Sequence, residues 1–412
     1  MSSTESPSAP AASVLPRVTP VRAGEGERLR TVALPGVTLS VRSRPPARAG
    51  LPPALYVHGL GGSSQNWSVL MAELDGVVDS EAVDLPGFGD SPPPDDGDYS
   101  VTGHARAVIR YLDAVGRAPV HLFGNSLGGA VATRVAAVRP DLVRTLTLVS
   151  PALPELRVQR TAAPTALLGM PGVAALFTRL TRQWTAEQRV RGVLALCYGD
   201  PGQVSPEAFQ NAVEELERRL RLPYFWDAMA RSARGIVNAY TLGGQHGLWR
   251  QAERVLAPTL LIYGGRDQLV GFRMARRAAR AFRASRLLTL PDAGHVAMME
   301  YPKLVATAFR ELVAAAEDPH AATLPPDGTP TATAAADTEA GTETAAGEAG
   351  PGTAASSAGT ETAAPSAGTA TAVGTDTAAG TDTAAGEEPG GGGGAAGGGT
   401  GTASADGAGA GS

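Results

Sequence analysis

Gly124-Asn125-Ser126-Leu127-Gly128 sets a serine between two glycines at the spacing G-x-S-x-G. This is the pattern of a sharp strand-to-helix turn that presents a hydroxyl for nucleophilic attack. Five residues of this kind arise easily by chance in a chain so rich in Gly and Ser, so the flanking sequence has to decide. Upstream, Pro119-Val120-His121-Leu122-Phe123 is a short apolar run that reads as a buried strand. Downstream, Ala130, Val131, Ala132, Val135, Ala136 and Val138 recur at helical spacing until Pro140 ends the run. The order strand, tight turn, helix is the context that an exposed nucleophile needs. Gly124, Gly128 and Gly129 provide small residues where the strained turn brings helix and strands close together. The amino-terminal end of the following helix favours negative charge developing beside the serine.

The elements that must position this serine form a regular series. Apolar runs bounded by turn residues lie at about 29–34, 37–41, 54–57, 77–83, 119–123, 144–149, 258–263 and 286–290. Helical patterns fall near 67–74, 101–115, 127–138, 271–282 and 302–315. From the third run onward strands and helices alternate, the signature of a mostly parallel sheet covered on both faces. The first two runs, separated by Pro35-Gly36, should form a hairpin at one edge. Between the sixth and seventh runs about a hundred residues show helical periodicity only, including 185–198 and 206–221. The expected fold is therefore α/β: an eight-stranded, mostly parallel sheet flanked by helices, with a helical lid inserted after strand six. Phe177, Tyr198, Tyr224, Phe225, Trp226 and Tyr240 of that insertion are candidates to line an apolar pocket, although core packing is the commoner role for each taken singly.

Composition divides the chain further. From Asp318 onward the sequence is Ala, Gly, Thr, Ser and Pro with twelve acidic residues and no Lys or Arg. Such a segment buries too little apolar surface to offset its conformational entropy. We expect a disordered N-terminal segment at 1–27, a folded core at 28–151 and 250–316, a lid at 152–249, and a disordered low-complexity acidic tail at 317–412. The net charge of −5 then leaves roughly +7 on the folded part once the twelve tail acids are removed. The tail reads as a solubilising appendage, with a regulatory or tethering role as the alternative. The arginines of the folded part form no dense run interleaved with aromatics, so no nucleic-acid partner is expected. Cys197 is the single cysteine, so no intramolecular disulfide is possible, and it reads as buried and inert. With no apolar leader after a basic start and no run of eighteen apolar residues, neither a signal peptide nor a membrane span is expected, and a cytoplasmic location follows.

Four signatures then occur in a fixed order. They are His58-Gly59-Leu60-Gly61-Gly62 after the third strand, Asp84-Leu85-Pro86-Gly87-Phe88-Gly89-Asp90-Ser91 after the fourth, the serine turn after the fifth, and Gly294-His295 after the eighth. With these, residues 28–316 resemble the α/β-hydrolase fold family. The resemblance implies that Ser126 is a nucleophile, His295 its general base and Asp267, just past the seventh strand, the acid that orients the base. Some members carry the acid after the sixth strand, but that site here reads Ser150-Pro151-Ala152. The backbone N–H groups of Leu60 and Leu127 are the implied oxyanion donors. No metal or cofactor is called for, since no P-loop or dinucleotide-binding glycine pattern is present. His58 reads as structural, and His246 as an ordinary surface or packed histidine with substrate contact as the alternative. His104, His121 and His320 lack supporting context, and Asp84, Asp90 and Asp292 read as turn or loop residues.

The implied activity is that of a serine hydrolase acting on a small to medium apolar ester or related acyl substrate, the small molecule being its expected partner. One alternative is a carbon–carbon bond hydrolase of ring-cleavage products, which Asn125 resembles. Val296 after the base, where those enzymes typically carry tryptophan, and the lack of their Gly-Pro-Gly speak against it. A second is a non-catalytic ligand-binding member of the fold. The sequence names no substrate-binding residue and no oligomeric state.

Overall fold

A computed structural model describes residues 24–155, 159–241 and 246–317. The expectations for the tail beyond 317, for His320 and for most of the N-terminal segment lie outside these residues. Eight strands form one sheet: β1 Arg28–Leu34, β2 Val37–Arg44, β3 Pro53–Val57, β4 Asp79–Val83, β5 Val120–Asn125, β6 Val143–Val149, β7 Thr259–Gly264 and β8 Ser285–Leu290. Their spatial order is β1-β2-β4-β3-β5-β6-β7-β8. β1 and β2 form the expected antiparallel edge hairpin, β2 also runs antiparallel to β4, and every pairing from β4 to β8 is parallel.

The central strands are predominantly apolar because both faces are covered. Leu55 and Val57 of β3, Leu122 of β5, Leu148 of β6 and Leu261 of β7 face one layer. That layer is made by α2 Val101–Val115, α3 Leu127–Val138 and α10 Met274–Ala281. Tyr56, Phe123, Val149 and Ile262 alternate to the other face. There they meet α1 Ser68–Glu73 and α12 Pro302–Glu317, with Tyr56 stacked on Phe123 at 4.4 Å and Phe123 on Phe309 at 4.8 Å between ring centroids. Helix ends follow local chemistry. The Ser100 hydroxyl accepts from Gly103 N at the start of α2, and Gly116 closes that helix in the left-handed region at φ 62°.

Between β6 and β7 the chain carries α4 Ala163–Leu167, α5 Val173–Leu180, α6 Ala186–Cys197, α7 Pro206–Leu220, α8 Phe225–Thr241 and α9 Leu248–Ala252. No strand interrupts this insertion among the described residues. Leu248 and Ala252 of α9 already belong to the core beside α3. The last short helix, α11 Ala297–Glu300, follows β8 directly. Among the described residues no helix is long and apolar enough to cross a membrane.

Candidate active site

The serine turn has the geometry its glycines require. Ser126 lies between β5 and α3 at φ 53°, ψ −116°, a strained conformation for a residue with a side chain. It is held from three directions: its N–H donates to Val149 O at 3.1 Å, and its carbonyl accepts from Ala130 N at 3.1 Å and Ala152 N at 2.9 Å. A Cβ at Gly124 would overlap the Gly128 carbonyl, and one at Gly128 would overlap the carbonyls of Val57 and His58. At these two positions close backbone approach alone dictates glycine.

Asp267 and His295 are brought together from the ends of β7 and β8. His295 Nδ1 lies 2.9 Å from Asp267 Oδ2 and 3.1 Å from Oδ1, with both side chains buried. An ionised carboxylate only accepts, so Nδ1 carries the proton and Nε2 keeps its lone pair for a base's work. Burial on its own would raise the Asp267 carboxyl. The charge and hydrogen bond of His295, together with the Val270 N–H, outweigh burial and hold it below its ordinary value. Leu269 N and Val270 N donate to Asp267 Oδ1 at 2.8 and 2.9 Å. The His295 backbone is fixed to both neighbours of the site. Its N–H donates to Cys197 O at 2.7 Å, and its carbonyl accepts from Asn125 Nδ2 at 3.0 Å, one residue before the serine.

The loop after β3 lies directly against the serine. A Cβ built on Gly59 would sit 2.9 Å from Asn125 Oδ1 and 3.1 Å from Ser126 Cβ. Leu127 is the first residue of α3, so the helix offers its N–H no acceptor, and Leu60 follows Gly59 in the loop. His58 braces this loop. Its Nε2 accepts from Leu85 N at 2.9 Å, which leaves the proton on Nδ1 to donate to Gly59 O at 2.7 Å. Burial holds the ring neutral, with a pKa lowered to about 3.

The insertion reaches the same loop through a buried ion cluster. Arg219 of α7 donates to Gly61 O at 2.5 Å and Ser63 Oγ at 3.1 Å, while its Nε donates to Glu215 at 2.6 Å. Arg218 joins Glu215 at 2.8 Å to Asp90 at 2.7 Å in the next loop. Burial would raise the Glu215 carboxyl, yet the two guanidinium groups hold it below its ordinary value. Glu300 makes a second tie, accepting from Gly199 N and Gly294 N, both at 2.8 Å. Arg219 and Glu215 carried no motif, and Glu300 stood out only as the opening of the helix after the His295 loop. The ties of Arg219 to Gly61 and of Glu300 to Gly199 run to backbone groups 158 and 101 residues away, which sequence spacing does not disclose.

The other candidates have structural places. Asp84 accepts from Ser64 N and Asp90 N, at 2.6 and 2.9 Å, and Asp292 pairs with Arg266 at the surface. His104 meets Ser232 at 3.1 Å and His121 meets Thr145 at 2.8 Å, both buried. The His246 carbonyl accepts from Arg134 at 2.9 Å. Cys197 is half-buried, with its thiol pushed up to about 12 by burial and nearby carboxylates, so it forms little thiolate. Phe177, Phe225 and Trp226 pack on one another inside the insertion, with Phe177 and Phe225 5.6 and 5.1 Å from Trp226. Tyr198 contacts Met299 beside the His295 loop. A depression of about 500 Å³ beside Leu51, Gly76 and Val77 opens at the amino-terminal ends of β3 and β4, away from Ser126, Asp267 and His295. Cavity size does not mark this site; its chemistry does.

Residues 52–302 match the family described as alpha/beta hydrolase fold. Over 254 residues the chain is 28% identical to the dihydrolipoyllysine-residue acetyltransferase component of the acetoin cleaving system of Cupriavidus necator, covering 61% of this chain and 60% of that protein. The chain thus spans only 60% of the length of that relative. Over 271 residues it is 27% identical to the pimeloyl-acyl-carrier-protein methyl ester esterase of Neisseria meningitidis, 62% of this chain and 91% of the esterase. A solved structure of a meta-cleavage product hydrolase from Pseudomonas fluorescens superposes with a TM-score of 0.55 at 20% identity, over 68% of this chain and 97% of that one. The last likeness concerns the fold alone.

Proposed function

The chain belongs to the α/β hydrolase fold family, and we propose that it is a serine hydrolase that cleaves a small to medium apolar ester through Ser126, His295 and Asp267. The observation that carries this reading is the buried Asp267–His295 hydrogen bond, with the His295 carbonyl anchored to Asn125, the residue before Ser126. In the proposed reaction Ser126 Oγ attacks the ester carbonyl while His295 Nε2 takes its proton. The carbonyl oxygen becomes an oxyanion received by the N–H groups of Leu60 and Leu127. Collapse breaks the ester C–O bond, and His295 returns the proton to the departing alcohol. Water then attacks the acyl-serine with His295 again as base, which releases the carboxylic acid and restores Ser126. Relatives named as a methyl ester esterase and as monoacylglycerol lipases support an ester over other acyl substrates.

A panel of p-nitrophenyl esters of increasing acyl length, assayed beside a ring-cleavage dienone, tests the reading. Turnover of the esters, lowered by several orders of magnitude in a folded His295→Ala variant, is the expected result. Preference for the dienone would replace it with carbon–carbon bond hydrolysis. Turnover of neither, in a folded wild-type chain, would favour a binding role.

A further inference from the structure

α5 is apolar on nearly every side, Val-Ala-Ala-Leu-Phe-Thr-Arg-Leu, yet none of its residues is buried. An all-round apolar helix ordinarily lies inside a core. Here its inner side, through Phe177, packs on Trp226, while Leu176 and Leu180, one turn apart, point outward with 54% and 70% exposure. Leu167, Met170 and Trp184 continue the exposed apolar surface at either end of the helix. Five large apolar side chains within eighteen residues are therefore left in water, which marks a contact surface.

The stretch of chain that carries them has charges of one sign, and the nearby Asp227 is paired with Arg231. From 156 to 186 the sequence holds Arg157, Arg160, Arg179 and Arg182 and no Asp or Glu. Arg179 is exposed on α5 one turn after Leu176, at a spacing of three, and directly precedes Leu180. Among the described residues neither Arg179 nor Arg182 forms an ion pair. Leucines at the centre, arginines alongside and a tryptophan at the rim form the pattern of a helix lying in a lipid headgroup layer.

We propose that this face of the insertion docks on an anionic lipid surface. Leu176 and Leu180 would enter the acyl boundary, Trp184 would sit at headgroup level, and Arg179 and Arg182 would meet lipid phosphates. Charge selects this occupant over two others. A second copy pairing through the same patch about a two-fold axis would gather Arg179 and Arg182 of both copies in one interface, and the 156–186 stretch brings no carboxylate to pair with them. The acidic segment after Asp318 offers carboxylates, but Leu324 and Val373 are its only large apolar residues, too few to cover five exposed ones. The inference does not depend on the chemistry at Ser126.

Vesicle flotation of the full chain tests the proposal, with phosphatidylcholine alone compared with phosphatidylcholine containing about one-third phosphatidylglycerol. The chain should float with the mixed vesicles and only weakly with the neutral ones, and rising salt should release it. The double substitution Leu176→Glu/Leu180→Glu should abolish flotation while turnover of a short soluble ester stays unchanged, since neither residue is part of the site. Arg179→Gln should weaken binding by about fivefold, the worth of one cation near an anionic surface. Failure to float at low salt, or equal flotation of the double variant, would overturn the proposal. So would a dimer by light scattering that the double substitution dissociates, because a second copy would then be the occupant.

Discussion

The sheet and the outer helices of its insertion are built on opposite principles, and the proposed site lies where the two regions meet. In the sheet, β5 and β7 are buried at every residue, and glycines at 124 and 128 are fixed by backbone carbonyls with no space to yield. In the insertion, α5 buries nothing and α6 buries only Val190. α8 packs into the core through Ala228 and Ala239, whereas α6, α7 and the turn between them are tied by polar contacts: Arg219 to Gly61, Arg218 to Asp90, Gly199 to Glu300 and Cys197 to His295. A close-packed core fixes geometry everywhere along its length. A polar tie fixes it at one point, and three of these four ties end on the loops beside Ser126.

Substitutions in the two regions can break or sharpen this comparison. Gly128→Ala should have the largest effect. Its methyl group would overlap two backbone carbonyls, and the resulting loss, on the order of 3 kcal/mol or more by urea unfolding, should leave little folded protein. A chain that tolerated it would show that the core yields at its tightest point. Arg219→Ala should fold and lose about tenfold in ester kcat with KM little changed, because the loop it holds carries a proposed oxyanion donor. Affinity for a trifluoromethyl ketone, which mimics the tetrahedral oxyanion, should fall in parallel. A raised KM with unchanged kcat would instead assign the clamp to shaping the substrate pocket. The smallest effect belongs to Gly192→Ala in α6, where nothing lies within 4 Å of a new methyl group. There the gain in helix propensity should raise stability by about 0.5–1 kcal/mol, and a loss comparable to that of Gly128→Ala would erase the distinction.

The same contrast explains what the sequence disclosed. Strands buried on both faces must be mainly apolar runs between turn residues, which made the central ones legible, while the edge strands β1 and β8, only partly buried, were marked by their flanking turn residues; all eight were placed to within a few residues. Sequence order does not give spatial order, and β4's place between β2 and β3 was not legible. The helix expected near 67–74 begins as a 3-10 turn at Ser64–Trp67, because Asn66 Oδ1 caps the Ser63 amide. The helix expected from 271 starts at Met274, after a turn in which Met274 N bonds to Gly271 O. Ser126, Asp267 and His295 were nameable because each follows a strand end within a motif. Arg218-Arg219 lies within Glu-Leu-Glu-Arg-Arg-Leu-Arg, which carries no motif. The contact that ties Arg219 to the loop after β3 is to a backbone carbonyl 158 residues away, and a carbonyl has no residue type to recognise.

The account rests above all on Ser126 being activated by the Asp267–His295 pair, and phosphonylation by a fluorophosphonate followed by peptide mapping addresses that directly. The account predicts one adduct per chain, on Ser126, absent in Ser126→Ala and formed orders of magnitude more slowly in a folded His295→Ala variant. An adduct on another residue, or labelling of His295→Ala at the wild-type rate, would contradict it.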